Sequence, residues 1–143
     1  MKFSFELQKM PTTAQQKGVS YKNGNPVFYN RKGTQNYELQ GALKKAAPKL
    51  PFPKGTPLIL DVVFTYAIKQ KKLWGEYKQT RPDLDNLMKN LQDYMTKFGY
   101  YADDSQIVVL CARKFYGNKN KIEIEITELE NDQYRICKSN PGW

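Results

Sequence analysis

The chain contains no histidine and only two cysteines, Cys111 and Cys137. Without an imidazole, every scheme that needs a histidine base or a histidine zinc ligand is excluded. Cys111 lies in an apolar run and Cys137 near the C-terminus, a pattern that supports neither a disulfide framework nor a zinc ligand set. Reduced thiols in a cytosolic protein are the expectation. Long hydrophobic runs are missing as well. Residues 1–10 hold Lys2, Glu6 and Lys9 and no long apolar segment, which predicts neither a signal peptide nor a membrane anchor. No basic helix with a broad apolar face stands out, so attachment to an anionic membrane is the weaker reading. A soluble, cytoplasmic protein is expected.

Negative charge is scarce in one half only. Residues 1–80 carry 14 basic and 4 acidic side chains, whereas residues 81–143 carry 9 and 10, within a total net charge of +9. A basic field of this kind attracts polyanions, because neutralised phosphates release condensed counterions, and nucleic acid is the expected partner. A basic surface kept for solubility is the plainer alternative. At 143 residues the chain predicts one domain over 1–130, large enough for its own core, and a weakly ordered tail over 131–143.

Periodicity gives the elements. Lys2 to Leu7 alternates Phe3, Phe5 and Leu7 on one face and predicts a half-buried strand. Val19 to Tyr29 predicts a small hairpin turning at Asn23-Gly24, two residues that tolerate the positive φ of a type I′ turn. Its aromatics and basic residues, among them Lys22, Arg31 and Lys32, suit a nucleic-acid surface, and a hairpin that packs by its aromatics explains them equally well. Asn36 to Ala47 predicts a helix closed by Pro48, and Pro51, Pro53 and Pro57 continue as a connector. Leu58 to Ala67 predicts a central strand. Lys69 to Thr80, with Lys69, Lys71, Lys72, Lys78 and Trp74, predicts an exposed basic loop. Leu84, Leu87, Met88, Leu91, Met95 and Phe98 mark a helix stopped by Gly99. Gln106 to Tyr116 and Lys121 to Leu129 predict two strands. The expected fold is of α+β type: a small mixed sheet of about four strands with two helices on one side, in the order βαβαββ plus a short N-terminal hairpin.

The chemistry gathers after the basic loop. Asp83 and Asp85 stand where that loop enters the helix, and Lys89 lies one turn beyond Asp85 on the same face. Taken alone, Asp85 and Lys89 are better explained as a helix-start aspartate in an ordinary i,i+4 pair. The acidic pair Asp103-Asp104 at the mouth of the next strand shifts that balance. If a short turn after Gly99 returns the chain, these carboxylates approach the first pair, and carboxylates crowded together repel unless a cation such as Mg²⁺ neutralises them. An EF-hand loop is a poor rival, since Leu87 and Met88 occupy positions where it needs an oxygen ligand and a glycine. Pro82-Asp83 starts like the PD-(D/E)xK nuclease motif, yet no later Asp or Glu has a lysine two residues on.

From Arg81 to Phe115 the chain resembles the RusA family of Holliday-junction resolvases, small dimeric endonucleases of bacteria and prophages. The resemblance rests on R-P-D-L-D-N-L-x-K, then a helix ending at Phe98-Gly99-Tyr100, then D-D-S-Q-I-V. It implies that Asp83, Asp85 and Asp104 hold Mg²⁺, with Mn²⁺ as a substitute, and that Asp103 supports them. It implies that Lys89 stabilises charge on the attacked phosphate and that products carry a 5′-phosphate and a 3′-hydroxyl. Arg81 and the basic loop before it would hold phosphates, a branched four-way DNA would be the substrate, and a homodimer would be the active form. No small-molecule cofactor is expected. Where the family has an Asn-containing segment, Thr12 to Gln16 has none. Asp93, on roughly the Lys89 side of the helix, reads as a surface residue. Two other readings stand beside the resolvase: a DNA-binding module whose acidic cluster is structural, and a nuclease for another branched DNA.

Overall fold

The computed structural model describes residues 1–11, 17–30 and 36–129. Thr12 to Gln16, Arg31, Lys32, Cys137 and the expected tail over 131–143 lie outside these described residues. The elements are β1 (Lys2–Glu6), β2 (Lys17–Lys22), β3 (Asn25–Asn30), α1 (Tyr37–Ala46), β4 (Leu58–Ala67), α2 (Leu84–Lys97), β5 (Ile107–Gly117) and β6 (Lys121–Glu128). Short 3₁₀ turns occupy Lys71–Leu73 and Asp104–Gln106. Four strands form one mixed sheet in the order β1-β6-β4-β5, and β2 with β3 forms a separate hairpin. This is the α+β arrangement that the periodicity predicts.

Alternation decides which face of the sheet is covered. Leu58, Leu60, Val62 and Phe64 of β4 and Ile122, Ile124 and Ile126 of β6 are buried, while the residues between them are less so. That inward face shares one cluster with Leu39 and Leu43 of α1 and Leu87, Met88, Leu91 and Met95 of α2. The two helices therefore cover a single face, and burying their apolar stripes is what holds them there. β4 and β5 run parallel, with a register shift at Leu58/Ile59, while β6 is antiparallel to both β4 and β1. The β4-to-β5 connection carries α2 over the sheet, which is the ordinary way to join parallel neighbours.

Two local features aim the chain at the site. Gly99, at φ 77°, sits past the C-terminal end of α2. Its N–H donates to Thr96 O at 3.2 Å and the Tyr100 N–H donates to Met95 O at 3.0 Å, the paired bonds of a Schellman cap. The cap turns Tyr100 and Tyr101 into the core, where the Tyr100 hydroxyl donates to Leu43 O at 2.7 Å. The proline connector is tied in as well, through a parallel bridge between Phe52 and Tyr101. The basic loop over 69–80 is exposed for most of its length, as its composition predicts. It also runs along the outer edge of β5: Lys78 N–H donates to Lys114 O at 3.0 Å, Tyr116 N–H to Glu76 O at 2.9 Å, and the Tyr77 and Phe115 rings stack. An edge strand with unpaired amides is thereby covered.

Candidate active site

Helix α2 places Asp85, Lys89 and Asp93 at successive turns of one face, and all three are exposed. They form one wall of an open cleft of about 460 Å³, with Leu110 and Ala112 of β5 also lining it and Asp104 contributing from the turn that follows α2. The Schellman cap makes this convergence possible, because it reverses the chain and brings the acidic turn back towards the helix that preceded it. Asp83 occupies the N-cap of α2 in an extended conformation, next to the lining residues rather than among them. Its side chain makes no capping hydrogen bond. Among the described residues, Asp85 and Lys89 form no ion pair with each other. The capping bond and the i,i+4 pair that would make these residues merely structural are thus both missing.

The acidic turn is built by side chains. Asp103 and Gln106 form a reciprocal capping box around the 3₁₀ turn Asp104–Gln106, and the Ser105 hydroxyl donates to Asp103 Oδ2 at 2.8 Å. Gln106, only 8 % exposed, uses both ends of its carboxamide. Its oxygen accepts from Ala102 N at 2.9 Å and Asp103 N at 3.1 Å, and its nitrogen donates to Pro53 O at 2.8 Å and Thr56 O at 3.1 Å. The acidic turn is consequently bolted to the proline connector. The Ser105 hydroxyl draws the Asp103 carboxyl below the ordinary range, and its hydrogen bond to Asp104 adds to this. Asp104 is pushed up instead, first by sharing a hydrogen bond with Asp103, then by desolvation and by the charges of Asp103 and Asp93.

Gln106 is the residue that the sequence reading passed over, and Asp93, read there as a surface residue, is exposed and lines the cleft. Asp93 stands at i+8 from Asp85, a spacing that carries it onto the same face. Asp103-x-x-Gln106 is itself a capping-box pattern. Lys114 on β5 was equally silent: its ammonium donates to Thr80 O at 2.9 Å and Pro82 O at 2.7 Å, fixing the segment that delivers Asp83 to the helix.

The basic candidates divide. Arg81, Lys69, Lys71 and Lys72 are exposed around the approach to α2, and Lys22 is exposed on the hairpin. Lys78 is half-buried, donates to Thr80 Oγ1, and lies 5.2 Å from the centres of both the Tyr66 and Tyr116 rings. Its charge is engaged inside the protein.

Among the described residues, no three acidic or thiol side chains stand close enough to hold a metal ion by themselves. Magnesium does not require that: it binds through one or two carboxylates and completes its shell with water and substrate phosphate. Asp85 and Asp104 in one cleft supply that hard-oxygen chemistry, and the charges of Asp103 and Asp93 bear on Asp104, a repulsion that a cation relieves. The donor set fits a hard divalent ion.

Carboxylates from two elements and an ammonium around an open cleft, in a chain of net charge +9, mark the class of metal-assisted nucleases. The family model described as endodeoxyribonuclease RusA matches residues 9–127. The chain belongs to that endodeoxyribonuclease family, whose chemistry implies a divalent metal in general. A protein of Lactococcus phage r1t, named crossover junction endodeoxyribonuclease, is 62 % identical over 127 residues, covering 89 % of this chain and 97 % of its own length. The crossover junction endodeoxyribonuclease of Escherichia coli K12 is 33 % identical over 75 residues, 52 % of this chain and 62 % of its own. An uncharacterised Bacillus subtilis protein, YqaN, is 40 % identical over 50 residues, 35 % of this chain and 34 % of its own.

Proposed function

We propose that the protein is a Mg²⁺-dependent, structure-selective endodeoxyribonuclease that resolves Holliday junctions by paired symmetric nicks in recombination and repair. The observation that carries the reading is the convergence of Asp85, Lys89 and Asp104 on one cleft, in a chain that matches a phage crossover junction endodeoxyribonuclease along most of its length. Asp85 and Asp104 would hold the ion, with Asp83 joining them at the start of α2, and Mn²⁺ would serve in place of Mg²⁺. When bound, the metal supplies an activated water and neutralises phosphate charge. Lys89 sets its ammonium against the negative charge that develops as the phosphodiester is attacked. Arg81 and the exposed lysines of the loop over 69–80 hold the flanking phosphates. The leaving oxygen becomes a 3′-hydroxyl, and the phosphate stays on the 5′ end. A four-way junction has two-fold symmetry, and a homodimer presents two clefts to match it. Such a role places the protein in the bacterial cytoplasm, as an enzyme of bacterial or prophage DNA. No helix among the described residues is long and apolar enough to cross a membrane.

The test is cleavage of a synthetic four-way junction in Mg²⁺ beside a linear duplex built from the same arms. Paired nicks are expected in the junction alone. Asp85→Asn should abolish them while junction binding stays equal or tightens, since a carboxylate facing phosphate has been neutralised. Cleavage retained by Asp85→Asn removes that residue from the metal site. Tight binding without cleavage by the unaltered protein, in either Mg²⁺ or Mn²⁺, replaces the nuclease with a DNA-binding module.

A further inference from the structure

The hairpin of β2 and β3 has no part in the cleft and none in the core. Every residue from Val19 to Tyr29 is exposed, and none belongs to the buried cluster or to the partly buried residues packed against it. Tyr21 is 76 % exposed and Phe28 67 %. The antiparallel register sets Val19 opposite Phe28 and Tyr21 opposite Pro26, so these four side chains share one face of the ribbon. Lys22 falls on the opposite face, together with Val27 and Tyr29. The turn between the strands is tight, with φ 52° at Asn23 and 77° at Gly24, the geometry of a type I′ turn. An isolated two-stranded ribbon is marginal in water, and this one shows aromatic rings to solvent on both faces. The reading in which its aromatics pack into the protein is not what the structure adopts.

Charge says what covers those rings. Between Glu6 and Glu38 the chain has no carboxylate at all, while Lys9, Lys17, Lys22, Arg31 and Lys32 fall inside that stretch. A second copy of a chain with net charge +9 would bring the same cations to the contact. A polyanion brings the opposite charge. Phosphate alone would leave the rings unused, whereas nucleobases offer flat faces that stack on tyrosine and phenylalanine whatever the sequence. Bases inside a duplex are already stacked, and those at a branch point or in a single strand are free to leave their neighbours. We propose that the β2–β3 hairpin is a DNA-contacting arm in which Tyr21 and Phe28 stack on unpaired or unstacked bases while Lys22 meets the adjoining phosphates. The arm recognises opened DNA away from the cleft, and it rests on the proposed function only for the substrate being branched DNA.

The experiment measures affinity of the full chain, on the Asp85→Asn background, for single-stranded oligo(dT), a linear duplex and a four-way junction. The double variant Tyr21→Ala/Phe28→Ala should lose about tenfold or more in affinity for oligo(dT) and for the junction. Its affinity for the duplex should change by less than about twofold, with melting temperature and solution mass unaltered. Tyr21→Phe/Phe28→Tyr, which keeps both rings, should retain the affinity of the parent. Equal loss on the duplex would make the hairpin a backbone contact and overturn the stacking role. No loss on any DNA removes the arm from DNA binding, and a fall in solution mass reassigns the face to a second copy. Junction cleavage by the unaltered chain, run alongside, separates the two layers. If cleavage fails while ring dependence on oligo(dT) persists, the resolvase reading falls alone; if cleavage succeeds without ring dependence, the arm falls alone.

Discussion

The carboxamide of Gln106 joins two loops far apart in sequence, the acidic turn around Asp103 and the proline connector at Pro53 and Thr56, through two accepted and two donated hydrogen bonds. Buried as it is, its loss leaves two N–H groups and two carbonyls to find new partners. Each such bond is worth a net ~1 kcal/mol, so Gln106→Ala should destabilise the fold by about 2–4 kcal/mol, read as a lower urea midpoint with unchanged m. Gln106→Glu keeps the accepting oxygens and removes the donors, which leaves the connector side unpaired and adds a carboxylate beside Asp103. Its fold should also weaken. Because Asp104 rides on the turn that Gln106 closes, both variants should need more Mg²⁺ for half-maximal junction cleavage than the unaltered protein. Unchanged stability and unchanged Mg²⁺ dependence would leave Gln106 with no positioning role. Residue identity alone hides this division of labour. Lys71 and Lys78 look alike in a run of basic residues, yet one is exposed and the other sits between two tyrosine rings. Only the long-range approach of β4 and β5 supplies Tyr66 and Tyr116 to hold it.

Helix α2 is the element on which the site depends, and its C-terminus governs where the second carboxylate group arrives. Gly99 holds a left-handed φ that an L side chain adopts at a cost of about 1–2 kcal/mol. A methyl group there meets nothing within 4 Å, so Gly99→Ala should lose stability by that amount through backbone strain alone. Thermal unfolding checks it, and a larger loss would point to an altered path for Tyr100 and Tyr101. The glycine was legible in the sequence, as was the helix, because Leu87, Leu91 and Met95 repeat at the helical period and Gly99 follows directly. The bounds of β4 and the Asn23-Gly24 hairpin were legible for the same reason: alternation and turn chemistry are local. The pairing of β1 with β6, the docking of the loop over 69–80 along β5 and the grip of Lys114 on Thr80 and Pro82 were not. Each joins segments distant along the chain, and such contacts are chosen by how the buried faces fit together. More of the site was legible than of these contacts. Asp85 and Lys89 were marked by their spacing on one helix, Asp83 by its place at the helix start, and the return of Asp104 by the stop at Gly99, and Asp93 is exposed as its position suggested. What stayed hidden was the Gln106 carboxamide that ties the acidic turn to the proline connector, because Pro53 and Thr56 lie far away in sequence.

On the scale of the whole molecule, positive charge and site number set behaviour that no single element determines. The surplus cations belong to residues 1–80, so DNA binding should weaken steeply with salt, log K falling by about 0.9 per phosphate neutralised for each unit of log salt. That field draws any DNA, and it does not by itself produce two cuts. In the proposed homodimer, paired nicking comes from two clefts acting on one junction, and this arrangement can be tested by disabling one of them. Mixed dimers made from one unaltered subunit and one Asp85→Asn subunit should bind a supercoiled plasmid cruciform as tightly as the unaltered dimer. They should convert it to a nicked circle, because one strand is cut and its symmetry mate is spared. The unaltered dimer should yield linear plasmid instead. If mixed dimers linearise the cruciform as efficiently as the unaltered protein, a single cleft serves both strands in turn and the two-fold arrangement is not needed. If they cut neither strand, cleavage at one cleft depends on metal at the other, and the two sites are coupled through the interface.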